Sequence, residues 1–554
     1  MYNVKDKNPR DTVNEIKRIL NVVGISVEEI WFDSGLQNIF SVRLTLTGTE
    51  YGTNGKGITE ELALASAYGE LIERLGNGII FHNNEREKTR DVGFVFFPDE
   101  CMLSEKDVEN EIVMEVLKPL SCDYQNAMQY WKELIERDNW ICLPYKGVRQ
   151  KKIAYVPYSM LRVYGSNGMS AGNTEEEALV QAVSEIFERY CQRMIIENKI
   201  CPPVIDKDYI KENWNALFNI ICEIEKNPIY CCEVRDCSLE YGIPVISVCI
   251  FDKEKHTDMV SFGAHPIAEI ALERALSELF QGKTLKDIVN PFEKRNLEQR
   301  YNKLSLIKNG IGYYPFEFYM NKYDYEFNGY KKVTGSNNKA FLSRLLQVLE
   351  DNTKEVYTRT LCVGEMYCVQ AIIPGMSEVY TYDSFIFECE EMKNRISKEF
   401  VLSEKLSANE IQMFLEYLDY VRKIPEFDLN LSKTIRSSED REKEKLILDI
   451  LIKGFFYLGA YDRVIRYVDI YMKYAEESFC RCIKCICEMK LNKIKGNTYR
   501  EILKNYYSSN VLNEAESFLL NQNYTAKGNA VKRKNYQGID LSCVRKIKEE
   551  LRVL

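Results

Sequence analysis

The segment NGKGITEELALASAYGELIERLG, residues 54–76, decides the fold, because two later segments repeat its order of features. These are SNGMSAGNTEEEALVQAVSEIFERY at 166–190 and SFGAHPIAEIALERALSELFQG at 261–282. Each begins with a glycine-containing stretch and continues as a helix in which polar residues recur at helical spacing. The first 300 residues therefore contain three copies of a glycine stretch followed by a helix.

Each repeated helix carries a polar stripe along one face. Residues one or two helical turns apart lie on the same side of a helix. The stripes comprise Ser66, Glu70, Glu73 and Arg74 in the first helix, Glu177, Gln181, Glu185, Glu188 and Arg189 in the second, and Arg274, Glu278 and Gln281 in the third. Most other positions of the first two helices are alanine or larger apolar residues, which predicts that these helices are largely buried.

The glutamates of these stripes outnumber the nearby arginines. A buried carboxylate must be protonated, paired with a cation or bound to a metal. A hard divalent cation such as Mg²⁺ would balance the surplus, and Mg²⁺ usually accompanies phosphates. The alternative is a set of solvated helix faces with Glu–Arg pairs, which would explain one such helix well. Three copies with alanine-rich flanks favour the metal site.

Further helices and strands are predicted around the repeat. Helices are expected at 12–22, 59–75, 174–195 and 266–280, and strands at 40–46, 153–157 and 244–251. Thr12 with Glu15, and Thr174 with Glu177, have the spacing of a capping box. The string TNGKG is expected to form a turn, and it lacks the spacer and hydroxyl residue of a P-loop. The interspersed strands and helices favour an α+β or α/β fold.

A change of composition near Ser403 predicts a second domain. Glycine and proline become rare, and long amphipathic segments dominate. Leu458, Gly459 and Tyr461 have the L-G-x-Y arrangement of helical hairpins of the tetratricopeptide kind, although an ordinary helical bundle is an alternative. We expect a core domain at 1–390, an all-α helical-repeat domain at 400–530 and a C-terminal tail at 531–554.

The composition narrows the class of protein. The 554 residues are 45% hydrophobic and 28% charged, as in a globular protein of two or more domains. The net charge of −9 argues against a direct nucleic-acid partner held by a general basic surface. The charged N-terminal residues lack the apolar run of a secretion signal, and no segment is apolar enough to span a membrane. We therefore expect a cytoplasmic protein without a membrane partner.

The cysteines and histidines are expected to be structural. Eighteen cysteines are scattered along the chain without a short-spaced framework, which predicts reduced thiols. The run CRCIKCIC at 480–487 cannot direct four side chains of one helix at one ion, so it predicts thiols at a helix contact. His265, which precedes the third repeated helix, is expected to bond locally at the helix entry rather than to serve the phosphates.

The three repeated strings resemble the ATP- and Mg²⁺-binding segments of the YcaO family, and the resemblance spans roughly residues 1–390. It implies an α+β core with helices over mixed or antiparallel sheets. VQAIIPGMSEVY at 369–380 and the helical tail further resemble the subgroup of accessory factors for β-methylthiolation of ribosomal protein S-twelve. Azoline-forming members usually end in a proline-rich tail, whereas this chain ends in EELRVL.

The resemblance implies roles for individual residues. The metal ligands implied for Mg²⁺ are Glu70, Glu73, Glu185, Glu188 and Glu278. The residues implied for ATP are Asn173, Glu177, Gln181, Arg189 and Arg274, with Ser66, Arg74, Lys5 and Thr12 as further choices. Arginine suits this role because its guanidinium binds phosphate oxygens in pairs. A catalytic residue is not implied.

The family's activity implies Mg-ATP-dependent activation of a backbone amide or related carbonyl in a peptide or protein substrate. Two alternatives stay open: a non-catalytic ATP-binding scaffold that docks a methylthiotransferase, and a cyclodehydratase that forms azolines or thioamides. The protein partners implied are a methylthiotransferase or a sulfur-carrier protein, and a homodimer is the assembly expected from the family.

Overall fold

The computed structural model of the chain has an α+β fold, as the resemblance implied. The structure describes residues 5–48, 51–79, 94–120, 122–135, 140–287, 290–291, 306, 312–331, 335–379, 407–423, 440–494, 498–520, 546 and 550–553. Within these residues every strand pairing is antiparallel. The chain divides into two compact units, one of residues 1–124, 137–381 and 536–554 and the other of residues 125–136 and 382–535.

Among the described residues, the first unit contains all of the strands, together with ten α-helices that begin within it or at its edge. The helices are α1 (Pro9–Val23), α2 (Glu60–Gly76), α3 (Glu105–Val108), α4 (Glu111–Leu117), α5 (Tyr124–Ile135), α6 (Glu175–Asn198), α7 (Lys207–Asn213), α8 (Asn215–Glu225), α9 (Ala268–Leu279) and α10 (Asn338–Asp351). Residues 125–136, which include most of α5, cluster with the second unit.

The strands of the described residues form three sheets. They are β1 (Val27–Asp33), β2 (Phe40–Leu46), β3 (Gly52–Gly57), β4 (Cys101–Leu103), β5 (Trp140–Gly147), β6 (Ile153–Pro157), β7 (Met169–Gly172), β8 (Tyr230–Asp236), β9 (Val245–Asp252), β10 (Thr257–Ala264), β11 (Asn290–Pro291), β12 (Tyr357–Val363), β13 (Met366–Ile372) and β14 (Leu551–Val553). The sheet orders are β1-β2-β3, β11-β10-β9-β8 and β4-β5-β12-β13-β7, with β6 beside β5 and β14 beside β12 in the last.

The repeat seen in the sequence is a strand followed by a helix, and each copy contributes to a different sheet. The copies are β3–α2, β7–α6 and β10–α9. The predicted turn TNGKG is therefore wrong, because these residues lie in β3, paired with β2. Glycine is uncommon inside strands, where it often marks a close approach of another backbone, and such an approach occurs here.

In all three copies, the strand crosses closely over the helix that follows it. A methyl group added at Gly55 of β3 would lie 2.1 Å from the carbonyl oxygen of Ala63 and 2.5 Å from the nitrogen of Ala67, both in α2. One at Gly263 of β10 would lie 2.3 Å from the carbonyl oxygen of Ala271. Gly172 in β7 approaches α6 in the same way. Glycine on the strand and alanine on the helix thus fix the position of each polar stripe.

The sheet β8–β11 is covered on both faces. Val245 and Cys249 of β9 pack into a cluster with α6 and α10. Ile246 and Val248, which point the other way, pack into a cluster with α8 and α9. This arrangement explains the continuous apolar run predicted as a strand at 244–251, since alternating residues are buried on opposite sides.

The second unit is helical in its described part. Its helices are α11 (Ala408–Lys423), α12 (Asp440–Tyr457), α13 (Tyr461–Tyr471), α14 (Glu477–Leu491), α15 (Thr498–Leu503) and α16 (Ser509–Leu520). Gly459, with a left-handed φ of 74°, separates α12 from α13 at the predicted L-G-x-Y turn. The tetratricopeptide-like character stays a prediction, and the predicted boundary between 390 and 400 lies outside the described residues.

The cysteines of the described residues are free thiols. In α14, Cys480, Cys482 and Cys487 are buried and Cys485 is half-buried, as expected for thiols at a helix contact. None of the described helices combines the length and the apolar composition that a membrane crossing requires.

We predict that Gly55→Ala lowers the stability of the first unit by about 1–3 kcal/mol, because the added methyl must push β3 away from α2. Gly69→Ala, also in the repeat, is the control: Gly69 has no atom within 4 Å of an added methyl, so this change should stabilise α2 by up to about 1 kcal/mol. Thermal unfolding midpoints compare the variants. Equal midpoints would contradict the close crossing.

Candidate functional site

The polar stripes of α2, α6 and α9 meet in one place. Glu185 on α6 lies within electrostatic reach of Arg74 on α2, and Glu188 lies within reach of Arg274 on α9. The five glutamates predicted as metal ligands are called the acidic cluster: Glu70, Glu73, Glu185, Glu188 and Glu278. Residues separated by more than 200 positions in the chain are thus brought together by the three strand–helix units.

Burial makes ionisation of Glu73, Glu185 and Glu188 unfavourable. The pKa of Glu73 is raised well above its ordinary value, mainly because burial removes the carboxylate from water. Burial also raises the pKa of Glu188 and raises that of Glu185 to about 6. The side chain of Glu278 is 42% exposed and that of Glu70 is 30% exposed, whereas that of Glu73 is 14% exposed. The prediction that all five carboxylates are buried therefore holds only in part.

The three predicted arginines adjoin the acidic cluster. Arg74 places Nη2 3.2 Å from Glu70 Oε1 and Nη1 3.7 Å from Glu73 Oε1. Arg274 Nη1 donates to the carbonyl oxygen of Ala264 at 2.8 Å, which anchors the side chain to the end of β10. Arg189 lowers the pKa of both Glu185 and Glu188 in opposition to burial. Each arginine is therefore placed where anionic groups gather.

Residues near the N-terminus form a second polar group around the start of α6. Lys5 Nζ lies 3.2 Å from Glu177 Oε1, and the Asn173 amide donates to Glu177 Oε2 at 3.1 Å. The Thr12 hydroxyl donates to Asn173 Oδ1 at 3.0 Å. We call Lys5, Thr12, Asn173 and Glu177 the N-terminal group. The structure brings Lys5 and Thr12 to Asn173 and Glu177, which lie more than 160 positions further along the chain.

The first predicted capping box is wrong. Helix α1 begins at Pro9 with Asn8 as its N-cap, so Thr12 lies inside the helix and turns toward Asn173 instead. Glu15 pairs with Arg18 at 2.7 Å. A proline at the start of a helix, preceded by asparagine, is the stronger signal for a helix N-terminus.

The second predicted capping box is half formed. Thr174 is the N-cap of α6 and accepts from the backbone nitrogen of Glu177 at 3.1 Å. The Glu177 side chain does not return to the cap but joins the N-terminal group, where it accepts from the backbone nitrogen of Asp6 at 3.1 Å. Glu177 is thus free to serve the site rather than the helix end.

Two predicted residues are not tied to the rest of the site. Ser66 and Gln181 are half-buried on α2 and α6, and neither has a hydrogen-bond partner among the described residues. Gln281, which the sequence placed on the third stripe without a role, donates to the Asn54 carbonyl oxygen at 3.2 Å and accepts from Lys56 at 3.3 Å.

The structure adds Lys56 and Asp6 to the residues predicted. Lys56 of β3 forms an ion pair with Glu278, and burial lowers the pKa of its ammonium group to about 8. Asp6 accepts a hydrogen bond from the Thr174 hydroxyl. A sequence signal for Lys56 exists, because it lies between two glycines directly before an acidic helix. Since TNGKG was expected to form a turn, Lys56 was not predicted as a site residue.

His265 makes the local contact expected of it. Its Nδ1 accepts from the backbone nitrogen of Ile267 at 3.0 Å, so the proton of the neutral ring lies on Nε2. Burial, together with the charges of Arg274 and Lys5, lowers the pKa of His265 well below its ordinary value. The imidazole is therefore neutral and structural, although two cations of the site lie near it.

Comparison with known proteins identifies the family. The family model described as YcaO cyclodehydratase, ATP- and Mg²⁺-binding, matches residues 54–377, which include all three repeated segments. The chain belongs to the YcaO family. ATP and Mg²⁺, the cofactors implied by the sequence resemblance, are those of the family description.

Two curated relatives match most of this YcaO chain. The ribosomal protein S12 methylthiotransferase accessory factor YcaO of Escherichia coli is 31% identical over 432 residues, which cover 75% of this chain and 72% of the relative. An uncharacterized protein of Haemophilus influenzae is 30% identical over 402 residues, which cover 69% of this chain and 67% of the relative.

Two solved structures are also similar to this chain. A heterocyclase in complex with substrate and cofactor shares 18% identity with a TM-score of 0.48, and the match covers 68% of this chain and 53% of the heterocyclase. YcaO from Methanopyrus kandleri, bound with AMPPCP and Mg²⁺, shares 19% identity with a TM-score of 0.45 over 68% of this chain and 94% of that protein.

The residues of the candidate site suit Mg²⁺ in chemistry. The acidic cluster offers only carboxylate oxygens, the ligands that Mg²⁺ prefers, and its buried carboxylates gain from a nearby cation. Within the part of the chain that the structure describes, no three acidic, histidine or cysteine side chains already surround one point as metal ligands. Some carboxylates contact Arg74 and Lys56 instead, so metal binding requires side chains to rearrange.

We predict that Glu185→Gln stabilises the metal-free protein above pH 6. Burial raises the pKa of Glu185 from 4.5 to about 6, so the folded state binds this proton more tightly than the unfolded chain. Stability contributed by this carboxyl is therefore lost as pH rises from 4.5 to about 6. The amide avoids that loss, and we expect a gain of about 1–2 kcal/mol at pH 8 that vanishes at pH 4.

Unfolding midpoints in EDTA at the two pH values test this prediction. Glu212→Gln, at an exposed position of α7, is the control and should show the same small difference at both pH values. A gain for Glu185→Gln that is independent of pH would show that the carboxyl is not held in an unfavourable charged state.

Proposed function

We propose that this chain uses Mg-ATP to activate a backbone amide or related carbonyl in a peptide or protein substrate, as an accessory factor for β-methylthiolation of ribosomal protein S-twelve. The observation that carries the proposal is the convergence of three acidic helix faces with Arg74, Arg189 and Arg274. Such a site can hold divalent cations through its carboxylates and phosphate oxygens through its guanidinium groups. The 31% sequence identity to the accessory factor of Escherichia coli supports β-methylthiolation as the process that this chain serves.

The acidic cluster would hold the metal ions, and the cations around it would hold the phosphates. Arg274 is suited to this role because its bond to the Ala264 carbonyl oxygen fixes the direction of the guanidinium. Charge-assisted bonds from a pre-positioned arginine are stronger and more selective than those from a mobile lysine. When bound, Mg-ATP supplies the phosphoryl or adenylyl group that turns a carbonyl oxygen into a leaving group.

The N-terminal group would bind the rest of the nucleotide. Glu177 is 5% exposed and Asn173 is 6% exposed, so both are held in fixed positions by the hydrogen bonds around them. Lys5, with a side chain that is 40% exposed and paired with Glu177, would turn toward an anionic ligand. Ser66 and Gln181, with no described partner to give up, are proposed as further nucleotide contacts.

The helical second unit would recruit a protein. Helical hairpins expose extended surfaces that suit protein partners. We propose a methylthiotransferase or a sulfur-carrier protein as this partner. The proposal also includes a core domain at 1–390, a helical-repeat domain at 400–530 and a C-terminal tail at 531–554. It places the protein in the cytoplasm as a homodimer.

The same helical unit favours a second function, that of a non-catalytic scaffold. In this alternative, ATP binding fixes a conformation of the first unit while the second unit docks the methylthiotransferase. ATP that binds tightly but is not hydrolysed, even with the partner present, would favour the scaffold. Steady release of phosphate or AMP would exclude it. The third hypothesis is a cyclodehydratase that forms azolines or thioamides in a peptide substrate.

We predict that Glu70→Gln and Glu188→Gln each reduce Mg²⁺-dependent ATP turnover by at least about 100-fold, because the amide keeps the shape of a metal ligand but not its charge. Phosphate and AMP release are the measurements. Glu60→Gln is the matched control, since Glu60 is an exposed glutamate at the start of the same helix as Glu70.

Circular dichroism should show that all three variants are folded. Turnover that is unchanged in Glu70→Gln and Glu188→Gln would refute the metal assignment. Absence of Mg²⁺-dependent nucleotide binding to the unaltered protein in calorimetry would refute the proposed function as a whole.

A further inference from the structure

Lys56 is a cation placed among the residues proposed as metal ligands. Its Nζ pairs with Glu278 Oε2 on α9. The charges of Glu188, Glu70, Glu185 and Arg189 also act on it, so the Lys56 ammonium faces both helices α2 and α6. The side chain is only 26% exposed. A lysine so surrounded by carboxylates balances part of their charge while no metal is bound.

The backbone around Lys56 holds it in this place. Gly55 and Gly57 on either side press β3 against α2, where added methyl groups would lie 2.1 Å and 2.7 Å from backbone atoms of Ala63. Gln281, two residues after α9, ties the strand to the end of this helix, because its amide donates to the Asn54 carbonyl oxygen and its oxygen accepts from Lys56 at 3.3 Å. The lysine is thus positioned by the same close crossing that positions the acidic cluster.

The charges set a conflict between Lys56 and a metal ion. A divalent cation that takes Glu278 as a ligand removes the partner of the Lys56 ammonium and adds two positive charges beside it. Phosphate oxygens that arrive with the metal give the ammonium a new partner. Binding of the metal alone is therefore opposed by Lys56, whereas binding of metal and nucleotide together is not.

We propose that Lys56 is the resident counter-ion of the metal site and that it couples metal binding to nucleotide binding, an inference that rests on the proposed function. In the metal-free protein, Lys56 occupies Glu278 and offsets the surplus of carboxylates. It releases Glu278 only when a nucleotide phosphate can accept its charge. The site thereby rejects free divalent cations and selects the metal–nucleotide complex.

Binding of Mn²⁺, followed by electron paramagnetic resonance with and without AMPPCP, tests this inference. In the unaltered protein, AMPPCP should tighten Mn²⁺ binding strongly. In Lys56→Met, Mn²⁺ alone should bind at least about fivefold more tightly than to the unaltered protein, and AMPPCP should tighten it less. Lys56→Arg keeps the charge and should retain weak binding of Mn²⁺ alone.

Lys17→Met is the matched control. Lys17, on α1, forms an ion pair with Glu29 of β1 at 2.9 Å. Loss of the Lys17 ammonium removes one positive charge and one ion pair without a change in the acidic cluster. The inference would be overturned if Lys56→Met bound Mn²⁺ alone no more tightly than the unaltered protein does. A gain that Lys17→Met or Lys56→Arg shares would also overturn it.

The failure of this inference and that of the proposed function are distinguishable. If the unaltered protein binds no Mn²⁺ even with AMPPCP, the proposed function fails. If it binds the complex but Lys56→Met shows no gain for Mn²⁺ alone, only the role of Lys56 fails. Circular dichroism identifies a variant that does not fold, and Lys56→Gln, a smaller change of polarity, then replaces Lys56→Met.

Discussion

The close crossing of a glycine-bearing strand over an alanine-bearing helix is the constraint on which the site depends. At Gly55, Gly172 and Gly263 the strand backbone lies so near the following helix that no side chain fits between them. Contacts this short leave little freedom in the distance or tilt of the helix. The polar faces of α2, α6 and α9 are consequently held at fixed positions, even though the strand that precedes each helix belongs to a different sheet.

The rigid frame carries an electrostatically unfavourable site. Several carboxylates are held where burial raises their pKa, and their partial compensation comes from arginines and from Lys56. A protein that only needed stability would not place like charges together in this way, since functional sites are where such costs concentrate. The unfavourable charge becomes useful when a divalent cation and a polyphosphate are available to offset it.

The N-terminal residues show how a short segment completes such a site. Helix α1 is bound through Thr12 to Asn173, and the residues before it reach Glu177. The last strand also joins this unit, since Leu551–Val553 pairs with β12 although it follows the helical unit in sequence. Both ends of the described chain therefore contribute to the first unit, and a truncation at either end would alter it.

The sequence by itself determined the repeat, the polar stripes and the family, because helical periodicity and the spacing of glycine and alanine are local properties of the chain. It also located the helical hairpin turn at Gly459. Only the tertiary structure decided that TNGKG is a strand, that Thr12 turns inward and that Lys56 meets Glu278. These features depend on contacts between residues that are far apart in the sequence. A glycine-rich string has the same local signature whether it forms a turn or a strand packed closely against a helix.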